Sequence, residues 1–531
     1  MKRAITFVLF LAALAAASYF RFSDLALRPM HHDEANQAVK FGALLEKGEY
    51  TYDKNDHHGP VLYYATLPAA KGTGRVRFVD VDETLLRTVP AVFGVAVILL
   101  LLMFGVGLQP EAQAVAALLI AVSPAMTYYS RFYIQEMVFV FFVLGFLISL
   151  WRYILRPDGG WYVVAGIFAG LMAATKETSV IVFAAAALGL VAVVIREKFF
   201  NRNANMPVKR RIFAGHIAAM AIVAAAVAAI FFSSFGRHPE GIKDAVTALN
   251  VYVERGSFTP GFHAHPFFFY LGRLTASIHG GLVWTELFVL LLGLAGMVFV
   301  FVPHRDNESM VNLDPLPVHR SLGVFLVVYT IAATLAYSFI PYKTPWNMVA
   351  FYLGWLILAG IGAISIFRRA ETVLLRGVVI LVLAAGLGHL AWQSRLANFR
   401  YPADPRNPYV YAQTSPDFLK LVRRIDSLAA VHQDGRDLPI KVLAGPYEQW
   451  PLPWYLRDYQ NVGYWTDTAA AGDIGKDPLV VASAENVESV RQKLGDRFVA
   501  ENYGLRPEVL ITLFVPPDLW NEFMKSAGGK H

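Results

Sequence analysis

The chain has no cysteine. That excludes disulfide scaffolds, thiol nucleophiles and cysteine-ligated metal centres, and it leaves the compartment open. Charge is also scarce. Asp, Glu, Lys and Arg make up 16% of the 531 residues, against about 25% in soluble domains. No internal repeat is visible, which weighs against a transporter built from inverted repeats. The formal charge of +7 would suggest nucleic acid in a soluble protein. Here the basic residues cluster in short loops between apolar runs, so membrane topology explains them better, and no nucleic-acid partner is expected.

What is abundant is apolar surface. The chain is 56% hydrophobic, with a mean hydropathy of +0.44. Apolar spans lie near 4–20, 88–107, 113–129, 136–151, 161–175, 178–195, 211–232, 283–303, 321–340, 345–366 and 374–393. That predicts a polytopic α-helical membrane protein with about eleven transmembrane helices. Lys2-Arg3 and the small residues Ala15-Ala16-Ala17 also have the form of a signal peptide. The many later spans favour a retained first helix.

With the N-terminus inside, the inside loops hold Arg152 and Arg156, the cluster Lys209-Arg210-Arg211, His304-Arg305 and Arg368-Arg369. This is the positive-inside pattern, and it places the protein in the cytoplasmic membrane with the tail outside. The outside segments are then 21–87, 128–135, Lys176-Glu177, 233–282 and Pro341 to Pro345. Residues 1–394 read as one transmembrane domain. The composition turns to Pro, Arg and Asn over 395–410, a linker signature. Residues 411–531 alternate β-rich runs (438–444, 478–482, 508–515) with helical patterns (415–429, 485–494, 517–526), which predicts a small extracytoplasmic α/β domain.

The first outer loop carries the densest chemistry. Ala35, Ala38, Val39, Gly42 and Leu45 recur near helical period, Gly48 suits a helix end, and Pro60 suits the first turn of a second helix. Both helices are too short to span and read as interfacial. Asp33 and Glu34 are adjacent, so they point in different directions on a helix and do not share a proton. They fit either a site acid with a structural neighbour or two acids favouring the helix dipole. His31, His32, His57 and His58 lie near Asp53 and Asp56. This set suits phosphate contact or a divalent metal ion, or simply a wet polar loop.

Further candidates follow along the outside segments. Glu136 opens an apolar helix after Ser130-Arg131, and an acid there is a functional signal, an ion-pair partner or a cap. Lys176-Glu177 reads as a solvated turn or as a substrate contact. In Pro341-Tyr342-Lys343-Thr344-Pro345-Trp346 two prolines stiffen a loop around one lysine, suited to a lipid phosphate or to interfacial anchoring. The 233–282 segment adds His263, His265 and the aromatic run Phe267 to Tyr270. The tail adds Tyr447-Glu448-Gln449-Trp450-Pro451-Leu452-Pro453-Trp454-Tyr455, a sugar-binding surface or domain packing.

This arrangement resembles the GT-C superfamily of membrane glycosyltransferases, which includes protein mannosyltransferases and aminoarabinose transferases. The resemblance rests on Asp33-Glu34 after the first span, the His-Gly-Pro-x-x-Tyr-Tyr run at 58–64, Leu86-Arg87-x-x-Pro90-x-x-x-Gly94, and Ser130-Arg131 with Glu136. Within the superfamily, His31-His32-Asp33-Glu34, Tyr342-Lys343-Thr344-Pro345-Trp346 and the tail are most similar to the archaeal-type flippase-activity-associated proteins. The resemblance implies a GT-C-like fold and inverting transfer of a sugar from a polyprenyl-phosphate carrier, on the outer face, to a glycan, lipid or protein acceptor.

In residue terms it implies Asp33 as general base, with Glu34 and Glu136 as further catalytic candidates. His32, His57, His58, Arg131, Lys176, Tyr342, Lys343 and His265 are the substrate-binding candidates. Aminoarabinose transferases place a lysine before the prolines of the first-loop motif. Here His58-Gly59 precedes Pro60, so phosphate contact falls to His58, Arg131 or Lys343. No cofactor is fixed by the sequence. If a metal is used, His58, Asp33 and Glu136 are its candidates.

The chemistry is coherent apart from the resemblance. Such a transfer needs a base at the acceptor hydroxyl and cations at the departing phosphate. The rival reading is a flippase or accessory factor for lipid-linked sugars, which would need polar residues at several depths. Here they collect at one interface.

Overall fold

The computed structural model describes residues 2–55, 58–200, 212–258, 261–302, 317–476 and 479–528. In chain order the helices are α1 (Lys2–Phe22), α2 (His32–Lys47), α3 (Val61–Gly72), α4 (Glu83–Leu101), α5 (Pro110–Val122), α6 (Pro124–Tyr129), α7 (Glu136–Leu155), α8 (Trp161–Ala173), α9 (Ser179–Phe200), α10 (Ala214–Phe232), α11 (Glu240–Phe258), α12 (Phe269–Thr275), α13 (Leu287–Phe301), α14 (Arg320–Phe339), α15 (Met348–Arg369), α16 (Val373–Arg395), α17 (Phe418–Ala429), α18 (Leu452–Tyr455), α19 (Val487–Leu494) and α20 (Pro517–Gly528). Among the described residues, eight helices are long and apolar enough to cross a membrane. The apolar α5, α8 and α13 are shorter. The protein is an integral membrane protein.

The chain divides into two units. The first comprises Met1–Leu25, Glu49–Thr66 and Arg87–Arg400. The second comprises Ala26–Gly48, Leu67–Leu86 and Tyr401–His531.

In the first unit, helices approach closely where side chains are small. A Cβ on Gly296 of α13 would lie 2.1 Å from the Leu358 carbonyl of α15, and one on Gly362 would lie 2.0 Å from the Leu292 carbonyl. This is the small-residue contact by which helices associate in lipid. The expected span 113–129 is interrupted. Ser123 leaves helical geometry and its side chain accepts from Met126 N–H, starting α6 anew with Pro124 at its first position. The expected 233–282 loop is structured, holding α11, α12 and a short hairpin, β1 (Ser277–His279) with β2 (Leu282–Trp284).

Two sets of loops tie the helices. Gln109 N–H donates to the Pro317 carbonyl and His319 N–H to that of Gly107. In the other set, Val61 N–H donates to the Ala174 carbonyl, His265 N–H to that of Pro341 and Lys343 N–H to that of His263. The second set carries the candidate residues.

The second unit is built on the sheet β4-β3-β5-β7-β6, with β3 (Ile440–Leu443), β4 (Val462–Trp465), β5 (Leu479–Ser483), β6 (Val499–Arg506) and β7 (Val509–Val515). β3 pairs in parallel with β4 and β5, and β7 runs antiparallel to β5 and β6. Val442 lies opposite Val481, and Val481 opposite Leu513. Both faces are covered. Ile440, Val442, Val481 and Leu513 pack with Phe418, Leu421 and Leu519 of α17 and α20, while Leu443, Val480 and Phe514 pack with Val490 and Leu494 of α19. Burial on both faces explains why β5 reads as a nearly continuous apolar run.

α2 belongs to this second unit, and local chemistry sets both of its ends. His31 is the N-cap, its side chain accepting from Asp33 N–H, and Glu34 reaches back to His31 N–H to complete a capping box. Gly48 ends the helix at φ 74°, a left-handed geometry that favours glycine. Met30 N–H donates to the Tyr455 hydroxyl, and the Gln413 amide donates to the Pro29 carbonyl.

Candidate functional site

The capping box separates the roles of the two adjacent acids. Glu34 is fully buried. Its carboxylate accepts from His31 N–H at 3.0 Å and pairs with Arg28 at 3.3 Å. It is an anchoring group in this structure. Asp33 gives only its backbone N–H to the cap, and its side chain is 31% exposed. Because His31 Nδ1 accepts Asp33 N–H, the imidazole proton sits on Nε2, which donates to the Tyr411 carbonyl at 3.0 Å. His31 is therefore neutral, and its 3.7 Å approach to the Asp33 carboxylate is not an ion pair. Burial pushes the pKa of His31 down as well. His32 is held down to about 4 by burial, and its ring lies beside Tyr447 and Trp450.

In the first unit the site is built from the turn between α8 and α9. Gly59 lets the chain press against that turn, since a Cβ there would lie 2.0 Å from the Ala174 carbonyl. This places His58 Nδ1 2.7 Å from Glu177 Oε2. The next side chain, Lys176, is 3% exposed, so the expected solvated turn is instead an interior ion pair. Lys176 Nζ lies 2.5 Å from Glu136 Oε1 and 2.6 Å from Asn347 Oδ1. Burial is tolerated because both charges are partnered. Glu136 also lies in the first turn of α7, where helix amides favour an anion.

Among the described residues, three polar atoms in and beside this turn have no hydrogen-bond partner, Thr178 Oγ1 being one. The other two are Glu177 Oε1 and the Tyr52 hydroxyl. Burial raises the Tyr52 pKa, and the Glu177 charge adds to it, so the phenol is neutral. An unmet carboxylate oxygen and phenol beside an imidazole fit a hydroxyl-bearing ligand or an ordered water.

The remaining cations are engaged with backbone. Arg131 donates to the carbonyls of Phe20, Ser23 and Asp24 at the end of α1. Lys343 Nζ donates to those of His265 and Ile340, and burial lowers its pKa. The Tyr342 ring lies 4.7 Å from that of His263. His265 stacks on Phe269 at 4.0 Å; burial pulls its pKa down to about 4, with Arg273, His263 and Lys343 adding to the shift. His57 lies outside the described residues.

The structure thus brings Glu136 together with Lys176, and Tyr342 and Lys343 together with the 263–265 segment. Arg131 stands with α1. Asp33, Glu34 and His32 belong to the second unit. Among the described residues, no group of three His, Asp or Glu side chains could hold a metal ion. The metal candidate Glu136 already carries an ammonium partner.

Sequence reading missed Tyr52, Asn347 and Glu286. Glu286 is fully buried and accepts from the Ser123 hydroxyl, Ala125 N–H and the Tyr352 hydroxyl. Its signal was available, since it opens an apolar helix just as Glu136 does. Asn347 follows Trp346 directly and differs from its neighbours only in its amide.

A family model described as dolichyl-phosphate-mannose-protein mannosyltransferase matches residues 75–228. That stretch includes Arg131, Glu136 and Lys176 and stops short of Asp33. ArnT from Cupriavidus metallidurans bound to undecaprenyl phosphate superposes with a TM-score of 0.60 at 14% identity, over 95% of this chain and 97% of that one. The fold is GT-C. AglB from Archaeoglobus fulgidus, an archaeal oligosaccharyltransferase in complex with an inhibitory peptide and a dolichol-phosphate, gives 0.59 at 13% identity, over 98% of this chain and 77% of that one. Sequence comparison with curated proteins finds no match. The GT-C expectation drawn from motif order therefore holds at the level of fold.

Proposed function

We propose that this GT-C protein transfers a sugar from a polyprenyl-phosphate carrier to an acceptor hydroxyl, with inversion, on the outer face of the cytoplasmic membrane. The observation that carries the reading is the division of labour at α2. Glu34 is consumed by the cap and by Arg28, while Asp33 keeps its carboxylate partly in solvent. A carboxylate in that setting serves as a general base, contributing typically about 10²–10⁴-fold.

The bond that forms joins the acceptor oxygen to the anomeric carbon. The bond that breaks joins that carbon to the phosphate oxygen. Asp33 takes the hydroxyl proton, and the electron pair leaves with the phosphate. Cations stabilise that departing charge. Lys176 and Lys343 each have three N–H donors and spend two, and His58 is partly exposed. These are the groups proposed to meet phosphate. Arg131, already holding three carbonyls, is assigned to framing α1.

The test uses purified full-length protein in nanodiscs with labelled polyprenyl-phosphate sugars and a panel of hydroxyl acceptors. Product carrying the label with inverted anomeric configuration is expected. Movement of donor across proteoliposomes without any transferred sugar would overturn the reading in favour of a flippase.

A further inference from the structure

Tyr447 is held by its backbone and exposed by its ring. Its carbonyl accepts from the Arg506 guanidinium and from the His32 imidazole. The residue is 68% exposed, and its ring lies 6.1 Å from the His32 ring at 27°. Trp450 flanks His32 at 5.9 Å. A large aromatic ring left in water gains nothing from packing, yet two side chains fix the residue that carries it. Such a clamp lowers the ordering cost of binding on that face.

The polar surroundings narrow the ligand. Asp33 follows His32 directly and is partly exposed. Arg506 has a buried Nε with no partner, and the charges of Asp33 and Glu448 both act on it. The patch therefore offers an aromatic face, carboxylates that accept, and the Arg506 guanidinium beside them. A sugar ring presents an apolar C–H face and hydroxyls that both donate and accept. A bare phosphate would meet the charges of Glu448 and Asp33 here.

We propose that Tyr447, His32 and Arg506 form a subsite for a sugar ring of the acceptor, so that the acceptor is a carbohydrate. This rests on the reading of Asp33 as the acceptor's base. Tyr447 and Arg506 are positioning residues that seat the ring beside that carboxylate.

Saturation-transfer NMR on the full-length protein in nanodiscs tests it, with maltotriose, chitotriose and a Ser/Thr-containing peptide as probes and no donor present. At least one saccharide is expected to bind through its ring protons. Tyr447→Ala should weaken it about tenfold, the scale of one aromatic contact, and Tyr447→Phe should retain it. Tyr447 is exposed, so thermal melting should match the parent. In transfer assays Tyr447→Ala should raise acceptor KM at near-parent kcat.

Absence of saccharide binding, binding unaffected by Tyr447→Ala, or Tyr447-dependent binding of the peptide alone would each overturn the subsite. Tyr447-dependent saccharide binding in a protein that transfers no sugar would leave the subsite standing and sink the transferase reading.

Discussion

Asp33 and Glu136 each lie in the first turn of a helix, where unpaired amides favour a carboxylate. Their surroundings differ. Glu136 is 3% exposed and bound to Lys176, so its charge is already answered. Asp33 is partly exposed, and the neighbouring Glu34 has taken over the capping and ion-pairing tasks. The same local position thus holds an ion-paired, buried carboxylate in the first unit and a partly solvated one in the second. Helix position alone does not assign function to an acid; what its neighbours already consume does.

The largest effect should come from removing the basicity of Asp33. Asp33→Asn keeps size and most hydrogen bonding. Single-turnover transfer with donor already bound should fall by about 10²–10⁴-fold, with melting and donor affinity unchanged. Transfer within a few-fold of the parent would place the base elsewhere.

The converse experiment breaks the buried pair. Glu136→Gln leaves the Lys176 ammonium buried beside neutral partners, which should cost about 3–5 kcal/mol of stability. Adding Lys176→Met should restore much of that loss, because the double variant has no uncompensated charge. Thermal melting of the two single variants and the double variant checks it. If Glu136→Gln melts like the parent, Glu136 is not the ion-paired, buried carboxylate described above.

Glu34→Gln sharpens the contrast between the neighbours. The amide oxygen can still accept from His31 N–H, but the charge opposite Arg28 is gone. A stability loss of about 1–3 kcal/mol is expected, with transfer chemistry affected less than in Asp33→Asn. Equal loss of single-turnover rate in both variants would erase the distinction between them.

Much of this was legible in the residues. Gly48 ends α2 and Val61, directly after Pro60, starts α3, because αL geometry and a fixed φ are local properties of those residues. Apolar runs located most of the helices, and the runs at 438–444, 478–482 and 508–515 fell on β3, β5 and β7. Strand β4 was missed because its residues are only half-buried and carry Gly463 and two aromatics rather than an apolar run. β6 was missed because the adjacent polar residues Glu501 and Asn502 interrupt its apolar positions on an edge strand. The Lys176–Glu136 pair was illegible for another reason. Its partners are 40 residues apart, and nothing in either local sequence records the other. The grouping of Ala26–Gly48 and Leu67–Leu86 with the tail is likewise a property of contacts, whereas composition placed a single boundary at 395–410.

The smallest expected effect concerns His32, next to Asp33 in the same first turn. Its pKa is lowered from 6.5 to about 4, chiefly by burial, so the folded protein holds it neutral where the unfolded chain would be protonated. Between those values the unfolded state binds more protons, and stability rises with pH. His32 therefore adds no pH dependence above about 6.5, costs stability progressively as pH falls toward 4, and adds no further slope below that. His32→Phe keeps an aromatic ring beside Tyr447 and Trp450 and removes the titration. Comparing melting of parent and variant from pH 7 to pH 4 cancels the carboxylates common to both. The parent should lose more melting temperature than the variant across that window, the direction that a lowered imidazole pKa requires. A parent that loses no more than His32→Phe would mean that this imidazole is solvated and free to charge. It would then stand beside Asp33 as a cation at mildly acid pH, and the electrostatic contrast between the two helix starts would be smaller than the structure indicates.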